Sequence, residues 1–302
     1  MEKELQILLT GGTGFIGDFL CEHLAKEGHY LRLISRSPEK YSEQQAQNRM
    51  YIGWDDDLVA EMDRADVVIN LTGENLFGQR WTDEVKKRLY SSRIDLTNKL
   101  VSAMKESSSP PELLVSASGI NYYGDSGDEV ITEEHGPGDD FLANLCIDWE
   151  AAAMQAEDAG VRVAIPRIAP VLEEGGGIIE KMKLPFSLFV GGALGSGEQY
   201  LSWIHMEDMI RAIVYPIENS QFSGPYNAGS PNPVQMEEFA EVMGRVMNRP
   251  SFFKVPGFVL NTLLGEAATP VLASLRVQPK KLQKAGFEFY FGDLELALSD
   301  LL

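Results

Sequence analysis

The sequence is poor in cysteine and in basic residues. Cys21 and Cys146 are too few for a disulfide framework and do not have the C-x-x-C spacing, so we expect neither a disulfide nor a metal site. The 26 lysines and arginines are outnumbered by 45 aspartates and glutamates, which gives a formal net charge of −19. This acidity argues against nucleic acid, whose binding depends on neutralising phosphates, and against an anionic membrane surface.

The sequence also lacks an apolar run long enough to cross a bilayer. Asn261, Glu266 and Pro270 interrupt the apolar stretch 258–275, whereas a membrane helix needs about 20 mostly apolar residues. The short polar start before the apolar run 5–9 does not have the pattern of a signal peptide. We therefore expect a soluble, cytoplasmic protein, whose 302 residues are enough to bury a large core.

The most informative stretch is T-G-G-T-G-F-I-G, at residues 10–17. An apolar run of strand length precedes it, and apolar residues follow every four positions from Ile16 to Leu24, the spacing of one helix face. The glycines thus lie where a buried strand turns into a helix. A helix N-terminus offers unpaired N–H groups and a partial positive charge, which favour a phosphate.

The glycines of this turn have distinct predicted roles at a dinucleotide pyrophosphate. Gly11 allows the tight turn, Gly14 lets the backbone approach the pyrophosphate, and Gly17 lets the helix pack close to the strand. The spacing is G-x-x-G-x-x-G rather than G-x-G-x-x-G. An ordinary glycine loop is the alternative, but the flanking strand and helix favour a cofactor site. The predicted cofactor-binding residues of this turn are Gly11, Thr13, Gly14, Phe15, Ile16 and Gly17.

The end of the next apolar run indicates which dinucleotide is bound. NAD enzymes usually have an acidic residue there, about 20 residues after the glycines, which binds the ribose 2′-hydroxyl. Here Ser35, Arg36 and Ser37 follow the run 30–34, with no acid at its tip. A guanidinium binds a phosphate through paired hydrogen bonds. We therefore predict NADP rather than NAD; a solvated surface role for Arg36 is the alternative.

Strand and helix patterns alternate along the first half of the chain. They follow one another at residues 65–71, 82–105, 113–118, 141–159 and 161–165. This order predicts an α/β fold with a Rossmann-type, doubly wound parallel sheet. Ligands of such sheets lie beyond the carboxyl ends of the strands. The backbone of Leu71, Thr72 and Gly73, which follows the predicted strand 65–71, is therefore expected beside the cofactor.

The composition changes after residue 170. Residues 173–197 are rich in glycine, and a long loop of this kind in a compact domain is usually functional or mobile. The remaining C-terminal part is mostly helical in pattern. We therefore predict an NADP-binding domain at 1–170, to which 203–229 returns, and a smaller, mostly helical substrate-binding region at 171–302.

These motifs together resemble the extended short-chain dehydrogenase/reductase family over nearly the whole chain. The opening glycine motif, the segment 116–124, W-I-H-M-E-D at 203–208 and Y-N-A-G at 226–229 fall in the family's order. N-L-T-G-E-N at 70–75 is more similar to a subgroup of sugar-epimerase-like, epimerase family proteins.

The resemblance implies an NADP-dependent oxidoreductase or epimerase-like enzyme. Its substrate would be a small carbonyl, alcohol or sugar-type molecule. In related folds the two helices corresponding to 82–105 and 141–159 often pair between subunits, which makes a homodimer an option. By the same resemblance, the residues lining the NADP site would include Ser35, Arg36, Leu71, Thr72 and Arg93.

The sequence departs from the family at the catalytic pair. The family uses a tyrosine whose pKa is lowered by a lysine four residues later, and no tyrosine of this chain has a lysine at that position. On the helix where the pair belongs, Cys146 and Glu150 have the expected separation. A carboxylate raises the pKa of a neighbouring thiol instead of activating it. The alternative to an enzyme is therefore a catalytically silent NADP-binding sensor or partner-binding protein.

The predicted catalytic substitutes are Ser118, Tyr122 and Tyr123. Ser118 matches the family's hydroxyl position and can hydrogen-bond a substrate carbonyl, while either tyrosine can donate a proton. Packing, or substrate binding without proton transfer, is the alternative for both tyrosines. For His205, at a predicted helix start, capping or packing is favoured over acid–base chemistry. For Cys146 a buried core position is favoured.

Overall fold

The computed structural model describes residues 4–44, 48–77 and 79–302. The prediction about a signal peptide falls partly on residues 1–3, which lie outside the described residues. The strands are β1 (Gln6–Thr10), β2 (Tyr30–Ser35), β3 (Arg49–Gly53), β4 (Val67–Asn70), β5 (Leu113–Ser116), β6 (Ser118–Gly119), β7 (Val130–Ile131), β8 (Arg162–Ile168), β9 (Val171–Leu172), β10 (Tyr200–Leu201), β11 (Ile204–His205), β12 (Gly224–Ala228), β13 (Val234–Gln235) and β14 (Arg276–Val277).

Helices cover the sheet and form most of the C-terminal part. They are α1 (Phe15–Lys26), α2 (Leu58–Met62), α3 (Asp83–Ser91), α4 (Ile94–Glu106), α5 (Phe141–Met154), α6 (Gly177–Ser187), α7 (Met206–Glu218), α8 (Met236–Met247), α9 (Gly257–Leu264), α10 (Thr269–Leu272), α11 (Lys280–Lys284) and α12 (Leu294–Leu301). Short 3₁₀ turns occur at Pro38–Gln44, Ile120–Tyr123, Gln155–Ala159 and Gly265–Ala268. None of the helices in the described ranges is both long and apolar enough to cross a membrane.

The central sheet has the strand order β12-β8-β5-β4-β1-β2-β3, and neighbouring strands are parallel. The chain builds from β1 outward to β3, then returns to the other side of β1 and builds from β4 to β12. This order confirms the predicted Rossmann-type, doubly wound sheet. The order reverses between β1 and β4, and ligands of such sheets bind at that switch point.

Both faces of the sheet are buried, which explains why its strands read as continuous apolar runs. Successive residues of β1 point to opposite faces. Ile7 and Leu9 pack in one core cluster, which also contains Leu20 of α1 and Met209 of α7. Leu8 packs in a second cluster on the other face, with residues of α4 and α5.

A third core cluster joins the helices of the C-terminal part. It contains Phe186 of α6, Phe239 of α8 and Leu298 of α12, packed with the fully buried Trp203. This cluster lies beside the carboxyl edge of the sheet, since Leu172, which follows β8 closely in the chain, is one of its members. The C-terminal helices therefore form a wall next to the strand ends.

Three predicted segments differ from the structure. The glycine-rich segment 173–197, expected to be a long loop, contains helix α6 (Gly177–Ser187). The helix expected at 82–105 is divided into α3 and α4, because the Arg93 N–H bonds the Tyr90 carbonyl and tightens the turn. The strand expected at 113–118 ends at Ser116; the Ala117 N–H bonds the Asn70 carbonyl, and β6 pairs with β8. Both interruptions occur where the chain passes the switch point, and both depend on tertiary contacts that periodicity does not show.

Candidate functional site

The loop between β1 and α1 is a tight turn that requires glycine at two positions. Gly11 has a φ of +75°, a conformation that side chains disfavour. A Cβ at Gly11 would lie 2.7 Å from the carbonyl carbon of Leu71. A Cβ at Gly17 would lie 2.1 Å from the carbonyl oxygen of Gly11. The first glycine thus lets the turn approach the end of β4, and the second lets α1 approach the turn.

The substitution Gly17→Ala is expected to destabilise the fold and to weaken cofactor binding together. The added methyl group must push α1 away from the turn, and overpacking of this kind costs about 1–3 kcal/mol. Gly136→Ala is the matched control, since a Cβ at Gly136 meets nothing within 4 Å. Urea unfolding and NADPH titration of both variants measure the two effects. Wild-type stability in Gly17→Ala would show that the close approach is not required.

The first turn of α1 leaves its backbone donors unpaired. Gly14 caps the helix without any side-chain hydrogen bond, and its own N–H bonds the Gly11 carbonyl at 3.0 Å. The N–H groups of Phe15, Ile16 and Gly17 open the helix and have no partner within it. Thr13 is exposed beside them. Such an uncapped N-terminus after a glycine turn can hold an anionic pyrophosphate.

The loop after β4 lies against this turn. Its backbone is fixed because the Leu71 N–H bonds the Thr10 carbonyl at 3.1 Å and the Thr72 N–H bonds Oδ1 of Asn70 at 3.3 Å. Oγ1 of Thr72 is buried and has no hydrogen-bond partner in the described part of the chain. A buried polar group without a partner is costly. This hydroxyl therefore fits a ligand that lies over the switch point.

Arg36 lies just beyond the carboxyl end of β2 and is exposed. No described residue forms a hydrogen bond or an ion pair with its guanidinium. Oγ of Ser35, the last residue of β2, accepts a hydrogen bond from the Ser37 N–H at 3.2 Å. The tip of β2 therefore presents an exposed cation that no described residue neutralises, with a serine on either side of it in the sequence.

Arg93 is held differently, although the resemblance places it in the cofactor site. It is buried, and its guanidinium donates to the carbonyls of Glu74 at 2.9 Å and Leu89 at 3.1 Å. A Cβ at Gly73 would lie 2.9 Å from its Cζ. Burial lowers the pKa of Arg93. In this arrangement Arg93 positions the loop after β4.

A buried ion pair lies behind the predicted catalytic segment. Arg167 of β8 donates two hydrogen bonds of 2.8 Å to the two carboxylate oxygens of Glu150 of α5. Oγ of Ser118 donates to the same carboxylate at 2.7 Å. Burial opposes the charge of Arg167, but the hydrogen bonds and the charge of Glu150 outweigh it and raise the pKa of Arg167. The cation of this pair, Arg167, therefore lies on β8, and the acid, Glu150, lies on α5.

The two predicted catalytic tyrosines meet this arginine in different ways. Nη1 of Arg167 donates to the Tyr123 hydroxyl at 2.8 Å, and that hydroxyl donates to Oδ1 of Asn227 at 2.7 Å. Burial raises the pKa of Tyr123 to about 12, although Arg167 opposes it. The ring of Tyr122 lies against the guanidinium, with 3.5 Å between Cζ and the ring centroid. The Tyr122 hydroxyl has no hydrogen bond to any described residue.

The structure therefore brings Ser118, Tyr122 and Tyr123 together around Arg167. Two of the three hydroxyls, those of Ser118 and Tyr123, are buried and hydrogen-bonded within the network. Tyr122 is half-buried.

Cys146 and His205 occupy the positions favoured for them by the sequence. Cys146 is buried, and burial raises the pKa of its thiol to about 11, with Glu150 acting in the same direction. His205 caps α7, since its Nδ1 accepts from the Glu207 N–H at 3.2 Å. Its ring stacks on Phe291 with 3.7 Å between centroids. The core role for Cys146 and the capping and packing role for His205 are confirmed.

A cavity of about 580 Å³ lies between the sheet's carboxyl edge and the C-terminal helices. It reaches Phe15 in the glycine turn and Ile120 and Asn121 in the segment after β6. Of the described residues that line it, none is Ser118, Tyr122 or Tyr123. Asn121 is thus the polar residue through which the predicted catalytic segment borders the cavity.

Asn121 and Tyr200 are candidate site residues that the sequence interpretation did not select. Both are half-buried and line the cavity, and neither side chain has a hydrogen-bond partner among the described residues. Cζ of Arg276 lies 4.6 Å from the centroid of the Tyr200 ring. Asn121 could have been selected from the sequence, because it is a polar residue in a segment that follows the end of a predicted strand. No spacing marks Tyr200.

The model of the NAD dependent epimerase/dehydratase family matches residues 7–229. The chain belongs to this family. A second model, described as a domain of unknown function, matches residues 255–301, which include α9 to α12. The family match thus covers the sheet and the glycine turn, whereas one wall of the cavity falls in the region without an assigned role.

Relatives of the full length carry epimerase family names. Epimerase family protein YfhF of Bacillus subtilis (strain 168) is 37% identical over 302 residues, which are 99% of this chain and 98% of that protein. The chloroplastic epimerase family protein SDR39U1 homolog of Arabidopsis thaliana is 37% identical over 310 residues, with 100% and 88% covered. The crystal structure of human epimerase family protein SDR39U1 (isoform 2) with NADPH superposes with a TM-score of 0.90 and 33% identity, covering 98% of this chain and 99% of that one.

These comparisons confirm the predicted family and the Rossmann-type fold. They also confirm the prediction of a nicotinamide dinucleotide as the family's cofactor, and the NADPH of the human relative agrees with the predicted preference for NADP. The names of the three relatives described above state a family and no substrate.

Proposed function

We propose that this protein binds NADP(H) and transfers a hydride between the cofactor and a small carbonyl or alcohol substrate, as an oxidoreductase or an epimerase-like enzyme. The observation that carries the proposal is the contact between two sites. Phe15, the first residue of α1 directly after the glycine turn, also lines the cavity, so a dinucleotide on the turn would lie next to a substrate in the cavity. Ligands at a topological switch point are expected in this geometry.

The chain's own residues fit the dinucleotide. The N–H groups at the start of α1 would bind the pyrophosphate, and Gly14 leaves room, since a Cβ there meets only the Gly11 carbonyl oxygen at 3.2 Å. The buried hydroxyl of Thr72 would gain a partner. Arg36, with Ser35, would bind the 2′-phosphate. Once bound, the cofactor supplies the hydride, and the protein's part is orientation and charge stabilisation.

On the substrate side, the amide of Asn121 would donate a hydrogen bond to the substrate oxygen. A preorganised donor of this kind stabilises the negative charge that develops on that oxygen. Tyr122 would be the proton donor, because its hydroxyl is the one of the three predicted catalytic hydroxyls without a partner in the described structure. Since Tyr122 does not line the cavity, its proton would reach the substrate through one intervening water. Ser118 and Tyr123 would hold the segment in place through Glu150 and Arg167.

The first test is titration of the purified protein with NADPH and, separately, with NADH, followed by nicotinamide fluorescence. Tight binding of NADPH and weak binding of NADH is the expected result. NADPH consumption is then followed over a panel of aldehydes, ketones and nucleotide sugars, and NADP reduction over alcohols. Absence of binding for either dinucleotide would overturn the proposal.

Asn121→Ala is expected to lower kcat by roughly 10²–10³-fold on any substrate that is turned over, the range found for loss of one oxyanion donor. The affinity for NADPH should stay unchanged, because Asn121 lies on the cavity side of the site. Asn98→Ala is the matched control, since Asn98 is exposed on α4. Steady-state kinetics with both variants decide the matter, and an unchanged kcat would remove Asn121 from the reaction.

A second candidate is an NADP-binding protein without catalysis, acting as a sensor or in partner binding. One observation favours it: the hydroxyls of Ser118 and Tyr123 are engaged in the buried network around Arg167. Tight NADPH binding without turnover over the whole panel is the result that this candidate requires. Turnover of a single substrate would exclude it.

A further inference from the structure

We infer that the cavity takes an apolar, uncharged substrate, a carbonyl or alcohol carried on a hydrocarbon frame, and not a nucleoside diphosphate sugar. This inference rests on the proposed function, because it concerns the substrate of the same site. It follows from the cavity's walls, from the hydrogen bonds of its polar residues and from its charge.

The walls are predominantly apolar. They come from the glycine turn, the segment after β6, and helices α6, α8 and α9. Representative lining residues are Phe15, Ile120, Met182, Phe186, Met236 and Leu260. Burial of hydrocarbon against such walls is favourable at roughly 25 cal/mol per Å². A sugar's hydroxyl groups would lose their hydration there without gaining partners.

The polar residues deeper in the wall already have their hydrogen bonds. Gln199 accepts from the Ser196 hydroxyl and the Gly197 N–H, each at 3.0 Å, and donates to the Leu194 carbonyl at 2.8 Å. Ser202 donates to the Leu275 carbonyl at 2.7 Å and accepts from the Val277 N–H at 2.9 Å. These groups hold the wall together and are not free to recognise a ligand.

Asn121 and Tyr200 are the half-buried lining residues of the described chain whose polar side-chain groups have no partner. Asn75, Glu180 and Lys181 also line the cavity, but they are exposed. The two half-buried groups suffice for a single carbonyl or hydroxyl. They do not suffice for a sugar ring with several hydroxyl groups, since specificity for such a ring requires a partner for each buried one.

The charge of the lining gives no support to a phosphate. Lys181 is the cation among the described lining residues, and it is exposed beside Glu180 on α6. Its Nζ lies 5.7 Å from the Phe77 ring centroid. One exposed cation supplies few of the charge-assisted hydrogen bonds that strengthen phosphate binding, and the net charge of −19 repels an anion wherever local cations are absent.

The mouth of the cavity continues onto an exposed apolar surface. Pro185 and Val190 line the cavity, and Leu188 and Phe189 lie between them at the surface. On the other side, Leu260 lines the cavity while Phe258 of the same helix is exposed. Exposed apolar residues around an apolar pocket are typical of a binding site, and an apolar molecule would contact them on entry.

The test uses the whole protein and N-phenyl-1-naphthylamine, a neutral apolar probe that fluoresces when it leaves water. We expect saturable binding of one probe per chain, with and without NADPH. Straight-chain aldehydes should displace the probe, with affinity rising about fourfold for each added methylene until the cavity is filled. UDP-glucose should not displace it at concentrations a hundredfold higher.

Two variants locate the probe. Ile178→Asp puts a carboxylate on the lining of α6, and Ala273→Trp fills part of the cavity without adding charge. Each should weaken probe binding by tenfold or more. Leu296→Asp is the control, because Leu296 is exposed on α12 and does not line the cavity. Thermal unfolding shows whether each variant is folded, and Ala273→Trp keeps the test valid if Ile178→Asp is not.

The outcomes separate this inference from the proposed function. Displacement by UDP-glucose, or no saturable probe binding while NADPH binds, would overturn the apolar substrate and leave the cofactor proposal standing. Probe binding that follows the expected chain-length series while NADPH fails to bind would support the apolar cavity and overturn the cofactor proposal. Unchanged probe affinity in folded Ala273→Trp would place the probe elsewhere and contradict the inference.

Discussion

Arg167→Met is expected to lower the free energy of unfolding by about 3–5 kcal/mol, the cost of breaking a buried ion pair from one side. The substitution leaves the Glu150 carboxylate buried without the two 2.8 Å hydrogen bonds that it now accepts from the guanidinium. It also removes the donor to Tyr123 and the surface on which Tyr122 packs. Urea unfolding followed by tryptophan fluorescence measures the change.

Two controls show whether the loss comes from an unpaired buried charge. Glu150→Gln/Arg167→Met removes both charges and should recover part of the lost stability, since replacing a whole buried pair is far less costly than removing one partner. Arg245→Met removes an arginine whose partner Glu295 is exposed, and it should have a much smaller effect. A single variant Arg167→Met as stable as the control would show that the pair does not support the fold.

Arg36→Asp should weaken NADPH binding by roughly 10–150-fold or more. Loss of hydrogen bonds to a charged group costs about 1.5–3 kcal/mol, and a carboxylate would also repel the 2′-phosphate. NADH lacks that phosphate, so its dissociation constant should change less than about threefold. Fluorescence titration with both dinucleotides gives the ratio directly.

The control for Arg36→Asp must produce the same change in net charge. Lys87→Asp does this at an exposed position on α3, away from the tip of β2. If Arg36 binds the 2′-phosphate, only the variant at residue 36 alters the preference for NADPH. Equal losses for NADPH and NADH in Arg36→Asp would assign the residue to solvent, and equal effects of both substitutions would assign the change to the protein's overall charge.

The buried pair bears on both candidate functions. In the family pattern a lysine on the helix after the hydroxyl segment supplies a cation; here that helix carries Glu150, and the cation comes from Arg167 of β8. The hydroxyl of Tyr122 has no hydrogen-bond partner among the described residues, and Asn121 is the polar contact of this segment with the cavity. A substrate screen with variants at these two positions therefore separates an altered catalytic arrangement from a silent site.

The amino-acid sequence by itself determined the parts of this protein whose signals are local or periodic. The strand, glycine turn and helix at residues 5–26 predict a phosphate-binding N-terminus within one short segment. Arg36 at the end of the next strand predicts a preference for NADP. The regular alternation of strands and helices predicted the parallel sheet, which the structure confirms. These features are readable because hydrogen bonding and side-chain periodicity act between residues close in the chain.

The tertiary structure alone decided the contacts between distant segments. It placed Arg167 against Glu150, turned Arg93 inward to hold the loop after β4, and divided the helix expected at 82–105. It also assembled the cavity from the glycine turn, the segment after β6 and the C-terminal helices. The spacing of residues along the chain does not show these contacts, because they form only when distant elements pack together. A buried charge such as Glu150 then requires a partner from another element.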